Sequence, residues 1–300
     1  MNNTLITIVG ATAIGKTALS IKLANYFSSD IISCDSRQFY KEMTIGTAVP
    51  EPEELAAAKH HFIQNRSIFD DYSVGEFEKD AIAKLNELFN KNSIQIMVGG
   101  SGLYVDAVLK GLDEFPKIPP QIRKTLTQQI EKTGIESLQN ELKKVDIDTY
   151  NTIAIDNPHR LIRALEIYRA TGKTYASFKN KSKAKRNFKS IKIGLTAERP
   201  VVYNRINRRV DIMIKNGLIE EAKKLYPYKE LNALQTVGYR ELFHYFDGNF
   251  TKEFAIEEIK KNSRRFAKRQ GTWFRKDPNI IWFDFQENPQ QIIKKITDKL

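Results

Sequence analysis

Short apolar runs rich in β-branched residues alternate with segments of helical periodicity through the first 115 residues. The apolar runs predict strands at residues 5–9, 30–35 and 94–98. The segments around them predict helices that begin near residue 16, span 74–90 and begin near residue 103. The stretch 36–75 shows neither period and is predicted to be irregular. Strands that alternate with helices favour a parallel sheet, which binds ligands at the carboxyl ends of its strands.

The pattern changes near residues 116–120, and from there to about residue 189 it is almost wholly helical. This stretch is also rich in Lys, Gln and Glu. The remaining segments predict a returning strand at 191–195, helices at 199–226, 238–246 and 251–274, and a late strand at 280–285. We therefore predict a core domain formed by residues 1–115 and 190–300, and an all-helical insert domain at 116–189.

The composition adds a charge imbalance to an otherwise ordinary globular sequence. Because 41% of the residues are hydrophobic, bulk disorder is not expected. The 48 Lys and Arg residues exceed the 36 Asp and Glu residues, which gives a formal charge of +12. Such an excess is either the mild basicity of many cytoplasmic enzymes or, if gathered on one face, typical of nucleic-acid binding.

The cysteine content and the N-terminus indicate where the protein works. Cys34 is the single cysteine, which excludes an intramolecular disulfide and a cysteine-based zinc site and fits a reducing compartment. Residues 1–4 lack the basic region of a signal peptide, and no apolar run approaches the roughly 20 residues of a membrane span. We expect a cytoplasmic protein that does not bind membranes.

The loop between the first predicted strand and helix satisfies the P-loop pattern G-x-x-x-x-G-K-[ST]. Its residues are Gly10, Ala11, Thr12, Ala13, Ile14, Gly15, Lys16 and Thr17. In such a loop, backbone amides and a helix N-terminus surround phosphate oxygens, the lysine adds a cation, and the threonine hydroxyl binds Mg²⁺. The fold class is therefore predicted as α/β, with a P-loop NTPase-like core, a mainly parallel sheet flanked by helices, and the helical insert.

Asp35, at the end of the second predicted strand, is the candidate acidic partner of this loop. P-loop enzymes usually place a carboxylate at the end of a neighbouring strand, and the strand at 94–98 ends instead in the glycine-rich turn 99–102. Asp35 could be a metal ligand, a general base or a helix N-cap. The polar residues Ser36, Arg37 and Gln38 that follow it favour a recognition loop.

Clusters of basic residues recur in the later helices. On the helix at 251–274, Lys261, Arg264, Arg265, Lys268 and Arg269 form a cationic stripe that could neutralise a phosphate backbone. We expect the nearby aromatic residues Phe266, Trp273 and Phe274 to lie in the core.

Two pairs of arginines and one pair of histidines are further candidates. Arg205 and Arg209, four residues apart, could direct their charges at a bound diphosphate, whereas Arg160 and Arg163 share a face of the insert. Surface ion pairs are the alternative for both. The residues 60–61 are both histidines without a third ligand at useful spacing, so we interpret them as structural or substrate-positioning.

The motifs, taken in order, resemble the bacterial tRNA dimethylallyltransferases of the IPP transferase family over nearly all 300 residues. The resemblance rests on G-A-T-A-I-G-K-T at 10–17, D-S-R-Q-F-Y at 35–40, I-G-T-A at 45–48, H-H at 60–61, G-G-S-G-L-Y at 99–104, N-P-H-R-L-I-R-A-L-E at 157–166, Q-T-V-G-Y-R-E at 235–241 and A-K-R-Q-G-T-W-F-R at 267–275. Ala11 and Ile14 replace the family's usual Pro and Ser, and Val49 stands where a Lys commonly follows Gly-Thr-Ala.

The resemblance implies transfer of a dimethylallyl group from dimethylallyl diphosphate, with Mg²⁺. The acceptor would be the exocyclic amine of the adenosine 3′ to the anticodon, in tRNAs reading codons that begin with U. The P-loop would hold the diphosphate, Thr17 would bind Mg²⁺, and Asp35 would be the base, or the hydrogen-bonding partner, of the adenine amine. Together with the arginine pair of the helix at 199–226, this predicts Asp35, Lys16, Thr17 and Arg209 as catalytic residues and Arg205 as a further ligand of the diphosphate. Contacts with the anticodon stem-loop would come from Asp35, Ser36, Arg37, Gln38, Ser101, Arg123, His159, Arg160, Leu161, Ile162, Arg163, Gln235, Thr236, Val237, Gly238, Tyr239 and Arg240. We expect a monomer.

Two other functions remain open at this point. An ATP-dependent kinase of a small molecule or nucleoside would explain the P-loop and the parallel sheet, but not the cationic helix or the turn at 99–102. An RNA-binding protein with a degenerate P-loop would explain the charge. The intact residues Lys16, Thr17 and Asp35 argue against this second alternative.

Overall fold

The computed structural model describes residues 3–179 and 184–300. The chain contacts divide into two compact units. The sheet unit comprises Met1–Lys110 and Arg186–Leu300, and the helical unit comprises Gly111–Lys185. Our predicted boundaries lie a few residues later at both junctions.

The described strands of the sheet unit form one six-stranded, entirely parallel sheet with the order β3-β2-β4-β1-β5-β6. The strands are β1 (Thr4–Gly10), β2 (Ile31–Ser33), β3 (His60–His61), β4 (Ile94–Val98), β5 (Lys189–Thr196) and β6 (Ile280–Asp284). The central strand β1 is buried along its whole length. The predicted parallel sheet is thus confirmed.

Helices cover both faces of this sheet. The helices of the sheet unit are α1 (Lys16–Phe27), α2 (Pro52–Ala57), α3 (Val74–Phe89), α4 (Gly102–Lys110), α9 (Arg199–Lys215), α10 (Leu218–Leu225), α11 (Tyr239–Phe246), α12 (Lys252–Phe274) and α13 (Pro289–Thr297). Leu5 and Val9 of β1 pack with α3, α4 and the end of α12 in one core cluster. Ile6 and Ile8 pack with α1 and α13 in another, as the alternation of side chains along a strand requires.

Three elements differ from the sequence predictions. The stretch 36–75, predicted to be irregular, contains α2, which is closed by a capping box between Glu51 and Glu54, and the two-residue strand β3. The helix predicted at 199–226 is two helices, because Gly217 adopts φ = 100° and interrupts it. Helix α13 was not predicted. In the described residues, no helix is both long and apolar enough to span a bilayer.

The helical unit is built from α5 (Pro120–Thr133), α6 (Glu136–Val145), α7 (Ile147–Thr152) and α8 (Pro158–Thr171) around its own apolar core. Its described residues contain helices and no strands, as predicted. Asn157 starts α8, because its side chain accepts hydrogen bonds from the amides of His159 and Arg160.

Candidate functional site

The P-loop of the sheet unit has the backbone geometry of an anion-binding turn. It leaves the carboxyl end of β1 at Gly10 (φ = 146°) and enters α1 after Gly15 (φ = 108°). A side chain at position 10 would place its Cβ 2.7 Å from the carbonyl oxygen of Leu195, so the close approach requires glycine. No side chain in the described part of the chain caps α1, which leaves its first amides available to a bound anion.

Lys16 lies within this loop with its ammonium group held by the backbone. Its Nζ donates to the carbonyl oxygens of Gly10 at 3.1 Å and Ala11 at 2.8 Å. Burial lowers the pKa of Lys16 from 10.5 to about 8; the nearby Asp35 opposes this change, and the positive charge of Arg209 adds to it. Because burial removes water from this ammonium group, a bound anion would strongly stabilise its charged form.

The two arginines of α9 reach the same loop. Arg205 Nε donates to the carbonyl oxygen of Ala13 at 2.7 Å, and Arg209 Nη1 lies 3.5 Å from Thr12 Oγ1. Burial lowers the pKa of Arg209, although an arginine keeps its charge at neutral pH. The structure therefore brings both of these predicted cations to the loop that would hold a diphosphate.

Two cavities meet beside the loop. The first, which we call the P-loop cavity, has a volume of about 930 Å³ and is lined by residues 12–18, α2 and α9. The second, the α12 cavity, has a volume of about 480 Å³ and lies between the turn 99–102, the segment 235–240 and α12. Both are lined by Thr12, Asp35, Thr47, Ala48, Arg209 and Met213.

Asp35 is the carboxylate at this junction. It follows β2 at the carboxyl edge of the sheet, where its Oδ1 accepts a hydrogen bond from the amide of Arg37 at 3.1 Å. This contact closes a turn and does not start a helix, so the N-cap interpretation of Asp35 is wrong. The carboxylate lines both cavities and can contact groups bound in either.

The residues after Asp35 form a loop that is held by its neighbours. Ser36 bonds to Ser101 Oγ through its amide and its hydroxyl, both at 3.2 Å. Arg37 Nη1 donates to the carbonyl oxygens of residues 232 and 233 at 3.0 Å. Gln38 Nε2 donates to the carbonyl oxygens of Thr47 and Ala48. These side chains fix one wall of the site; their predicted contacts with tRNA stay a prediction.

The segment 235–240 forms another wall of the α12 cavity. Gln235, Thr236, Val237, Gly238 and Arg240 all line it. Tyr239 is instead fully buried, and its hydroxyl donates to Glu221 Oε1 at 2.6 Å. Its side chain thus supports the wall from behind.

The predicted tRNA-binding residues of the helical unit cluster on α5 and α8. Glu166, only 2% exposed, accepts two hydrogen bonds from Arg123, at 2.7 and 2.9 Å, and one from Arg163 at 2.6 Å. His159 and Arg160 are exposed. The side chains of Leu161 and Ile162 are buried in the core of this unit, so they stabilise α8 from inside.

The aromatic residues of α12 only partly follow the sequence prediction. Phe274 is buried, as predicted, with 3% of its surface exposed. Phe266 and Trp273 were predicted to be core residues, which is wrong: they are 38% and 41% exposed and line the α12 cavity. Helical spacing shows which residues share a face, but not whether another element covers that face.

The cations of the stripe on α12 differ in their surroundings. Lys261 forms an ion pair with Glu258, and Arg264 donates to Asn207 Oδ1 at 2.6 Å. Arg269 contacts the ring of Phe266, with its guanidinium carbon 5.7 Å from the ring centre, and lines the α12 cavity. The stripe is therefore partly neutralised, and part of it remains available to an anion.

The two histidines of β3 have separate surroundings. His61 Nε2 lies 2.7 Å from Asp30 Oδ2, and His60 Nδ1 lies 2.8 Å from the carbonyl oxygen of Ala58. His60 also lines the P-loop cavity, and burial lowers its pKa. These contacts agree with a structural or substrate-positioning pair.

The sequence analysis missed Gln270, which joins α12 to the P-loop. Its Oε1 accepts from the amide of Thr12 at 2.8 Å, and its Nε2 donates to the carbonyl oxygen of Gly100 at 3.0 Å. The signal was present, because Gln270 is the one neutral polar side chain among the cations at 267–270 of a quoted motif.

We expect Gly100→Ala to weaken binding of a phosphorylated ligand at the P-loop without unfolding the protein. The added Cβ would lie 2.2 Å from Gln270 Nε2, so the amide must turn away and release the loop at Thr12. Loss of one such hydrogen bond, about 0.5–1.5 kcal/mol, should raise the KM for the phosphorylated substrate about 2- to 10-fold. Gly75→Ala, where an added Cβ would meet only Ser73 Oγ, at an ordinary contact distance of 3.9 Å, is the control. An unchanged KM in Gly100→Ala would exclude this role for Gln270.

Comparisons with known proteins agree on one family. The sequence model of a family described as IPP transferase matches residues 38–277. A tRNA dimethylallyltransferase of Christiangramia forsetii is 63% identical over 300 residues, which is 100% of this chain and 99% of that protein. The solved tRNA isopentenylpyrophosphate transferase of Bacillus halodurans is 39% identical, with a TM-score of 0.73, and the match covers 99% of this chain and 95% of that one.

A solved eukaryotic dimethylallyltransferase that acts on tRNA is also similar. It is 26% identical, with a TM-score of 0.77, and the match covers 95% of this chain and 74% of that one.

Proposed function

Because this chain belongs to the IPP transferase family, we propose that it transfers a dimethylallyl group from dimethylallyl diphosphate to an adenosine of tRNA. The acceptor is the exocyclic amine of the adenosine 3′ to the anticodon, in tRNAs that read codons beginning with U. One observation carries the proposal: Asp35, Thr12 and Arg209 lie where the P-loop cavity meets the α12 cavity. A donor in one cavity and an acceptor in the other would meet there.

The P-loop cavity suits the leaving group. As the allylic C–O bond breaks, positive charge grows on the allyl carbons and negative charge on the diphosphate. Lys16, Arg209 and the amides at the start of α1 lie at the P-loop, so they would surround the negative charge that develops on a diphosphate bound there. Fixed charges and dipoles of this kind stabilise a transition state without reorganising.

The acceptor needs help of a different kind. An adenine amine is a poor nucleophile, because its lone pair is delocalised into the ring. Asp35 can accept a hydrogen bond from this amine, orient it towards the allyl carbon, and take the proton released when the new C–N bond forms. The products are prenylated adenosine, diphosphate and the proton.

The oxygen atoms of the P-loop cavity also fit Mg²⁺. Thr17 and Asp35 line it and can offer a hydroxyl and a carboxylate. In the described residues, no group of three or more His, Cys, Asp or Glu side chains forms a complete metal site. This agrees with an ion held mainly by substrate and water, as Mg²⁺ usually is. Bound there, Mg²⁺ would neutralise charge on the leaving diphosphate.

Transfer of label separates this function from its rivals. We expect radiolabel from dimethylallyl diphosphate to enter tRNA in the presence of Mg²⁺, and none to enter a tRNA whose target adenosine is replaced by guanosine. Phosphate transfer from labelled ATP to a nucleoside would instead support a kinase. Binding of tRNA without any transfer would support an RNA-binding protein. The family match does not favour either rival.

We further propose that the protein acts in the cytoplasm as a monomer. The residues proposed to bind the donor and to orient the acceptor, among them Lys16, Asp35 and Arg209, all come from one copy of the chain, so the proposed chemistry needs no second copy. Sedimentation of the protein at working concentration tests the oligomeric state.

A further inference from the structure

Helix α12 presents two exposed aromatic rings to the α12 cavity. Phe266 and Trp273 lie seven residues apart, on the face of the helix that also carries Gln270. At a rise of about 1.5 Å per residue, the two positions are about 10 Å apart along the helix axis. Because Gln270 contacts the P-loop at Thr12, one ring lies to either side of the point where α12 touches the catalytic loop.

Trp273 is held in place although it is exposed. Its Nε1 donates to Asp106 Oδ2 at 3.1 Å, and Asp106 also forms an ion pair with Lys110 at 2.6 Å. Gly102 allows the ring to approach the backbone, since a Cβ there would lie 2.4 Å from the indole Cδ1. A large ring fixed in this way loses little conformational freedom when a ligand binds to it.

The charge around these rings fits a polyanion. Among the described residues, the α12 cavity is lined by Arg37, Arg209, Arg240 and Arg269 and by the single carboxylate of Asp35. The side chains of Arg240 and Arg269 form no hydrogen bond or ion pair with any described residue. Exposed rings in a cationic cavity are how proteins commonly bind unpaired nucleotides, since every base offers a π face.

We propose that Trp273 and Phe266 form a stacking platform for the unpaired nucleobases that flank the target adenosine. The inference rests on the proposed function. A base that reaches Asp35 must leave the stack of its loop, and its neighbours then lose a stacking partner. The volume of the α12 cavity, about 480 Å³, exceeds what a single purine needs. The two rings stack on the flanking bases, replace part of the stacking that these bases lose, and hold the RNA loop in its opened conformation.

Truncation of Trp273 tests the proposal. We expect Trp273→Ala to weaken binding of an anticodon stem-loop RNA about 5- to 100-fold, the range typical of one lost stacking contact. The KM for tRNA should rise accordingly, whereas kcat at saturating tRNA and the KM for dimethylallyl diphosphate should change little. Trp273→Phe keeps an aromatic face and should recover most of the affinity. Phe254→Ala, on the same helix, with a side chain that is 50% exposed and lies outside the cavity, is the control.

Fluorescence gives a direct readout of stacking. The chain contains two tryptophans, Trp273 and Trp282, so the spectrum of Trp273→Phe subtracted from that of the parent reports Trp273. Stacking predicts that the stem-loop RNA quenches this difference spectrum, and that a blunt duplex without unpaired bases does not.

The outcomes separate the platform from the proposed function. Unchanged RNA affinity in Trp273→Ala, an equal loss in Trp273→Phe, or a raised KM for the prenyl donor would each overturn the platform while leaving prenyl transfer intact. If the parent protein transfers no label to tRNA, the proposed function fails irrespective of Trp273.

Discussion

Replacement of Asp35 by Asn is expected to lower the rate of prenyl transfer by about 10²- to 10⁴-fold, the usual contribution of a general base. The amide is nearly the same size as the carboxylate, and its Oδ1 can still accept the hydrogen bond from the amide of Arg37. It cannot take the proton of the adenine amine. Affinity for tRNA should therefore stay within a few-fold of the parent, and the loss should appear in kcat measured with both substrates saturating.

The matched control is Asp71→Asn, which removes a negative charge from an exposed position outside both cavities. It should leave kcat and tRNA affinity unchanged. If Asp35→Asn instead lost tRNA affinity and rate by the same factor, Asp35 would serve recognition only. The proton would then have to leave by another route.

The position of Asp35 was predictable from the sequence because it follows from local rules. A β-rich run that ends in a carboxylate places that carboxylate at the edge of a parallel sheet where the P-loop also lies. The same holds for Lys16 and Thr17, whose spacing from Gly10 defines the loop. Each of these predictions needs only the strand, the turn and the helix immediately around the residue.

The parts that were missed depend on contacts between distant segments. Gln270 meets Thr12 across 258 positions of the chain, and Glu166 meets Arg123 across 43. No periodicity of a single segment encodes such a pair. Trp273 was assigned to the core for a related reason: α12 has apolar residues on more than one face, and only the fold shows which face borders a cavity.

The second large effect is expected at Lys16. Lys16→Met should lower kcat by about 10²- to 10³-fold, the range found when one stabilising donor of a developing anion is removed. The methionine keeps a similar length, so the loop around Gly10 and Ala11 should retain its course. Binding of tRNA should be unaffected, because Lys16 lines the P-loop cavity and not the α12 cavity.

The pKa of Lys16 adds a pH dependence with a defined sign. A lysine loses its charge as pH rises, and burial lowers the pKa of Lys16 from 10.5 to about 8. The value of kcat/KM for dimethylallyl diphosphate depends on the ionisation state of the enzyme before this substrate binds. Measured at saturating tRNA, it should therefore fall above about pH 8, by up to tenfold per pH unit. A bound diphosphate stabilises the ammonium form, so kcat should begin to fall only at higher pH.

Variants at position 16 show whether this inflection belongs to the lysine. The residual activity of Lys16→Met should show no fall near pH 8, since methionine does not titrate. Lys16→Arg should also show no fall near pH 8, because its guanidinium stays charged across the same range. Its absolute rate depends on how well the longer side chain fits into the P-loop. If all three proteins lost activity with the same midpoint, another group would govern the profile, and the titration of Lys16 would not limit the binding of dimethylallyl diphosphate. The loss of kcat in Lys16→Met would still measure how far the amides of α1 and the arginines of α9 hold the leaving diphosphate without it.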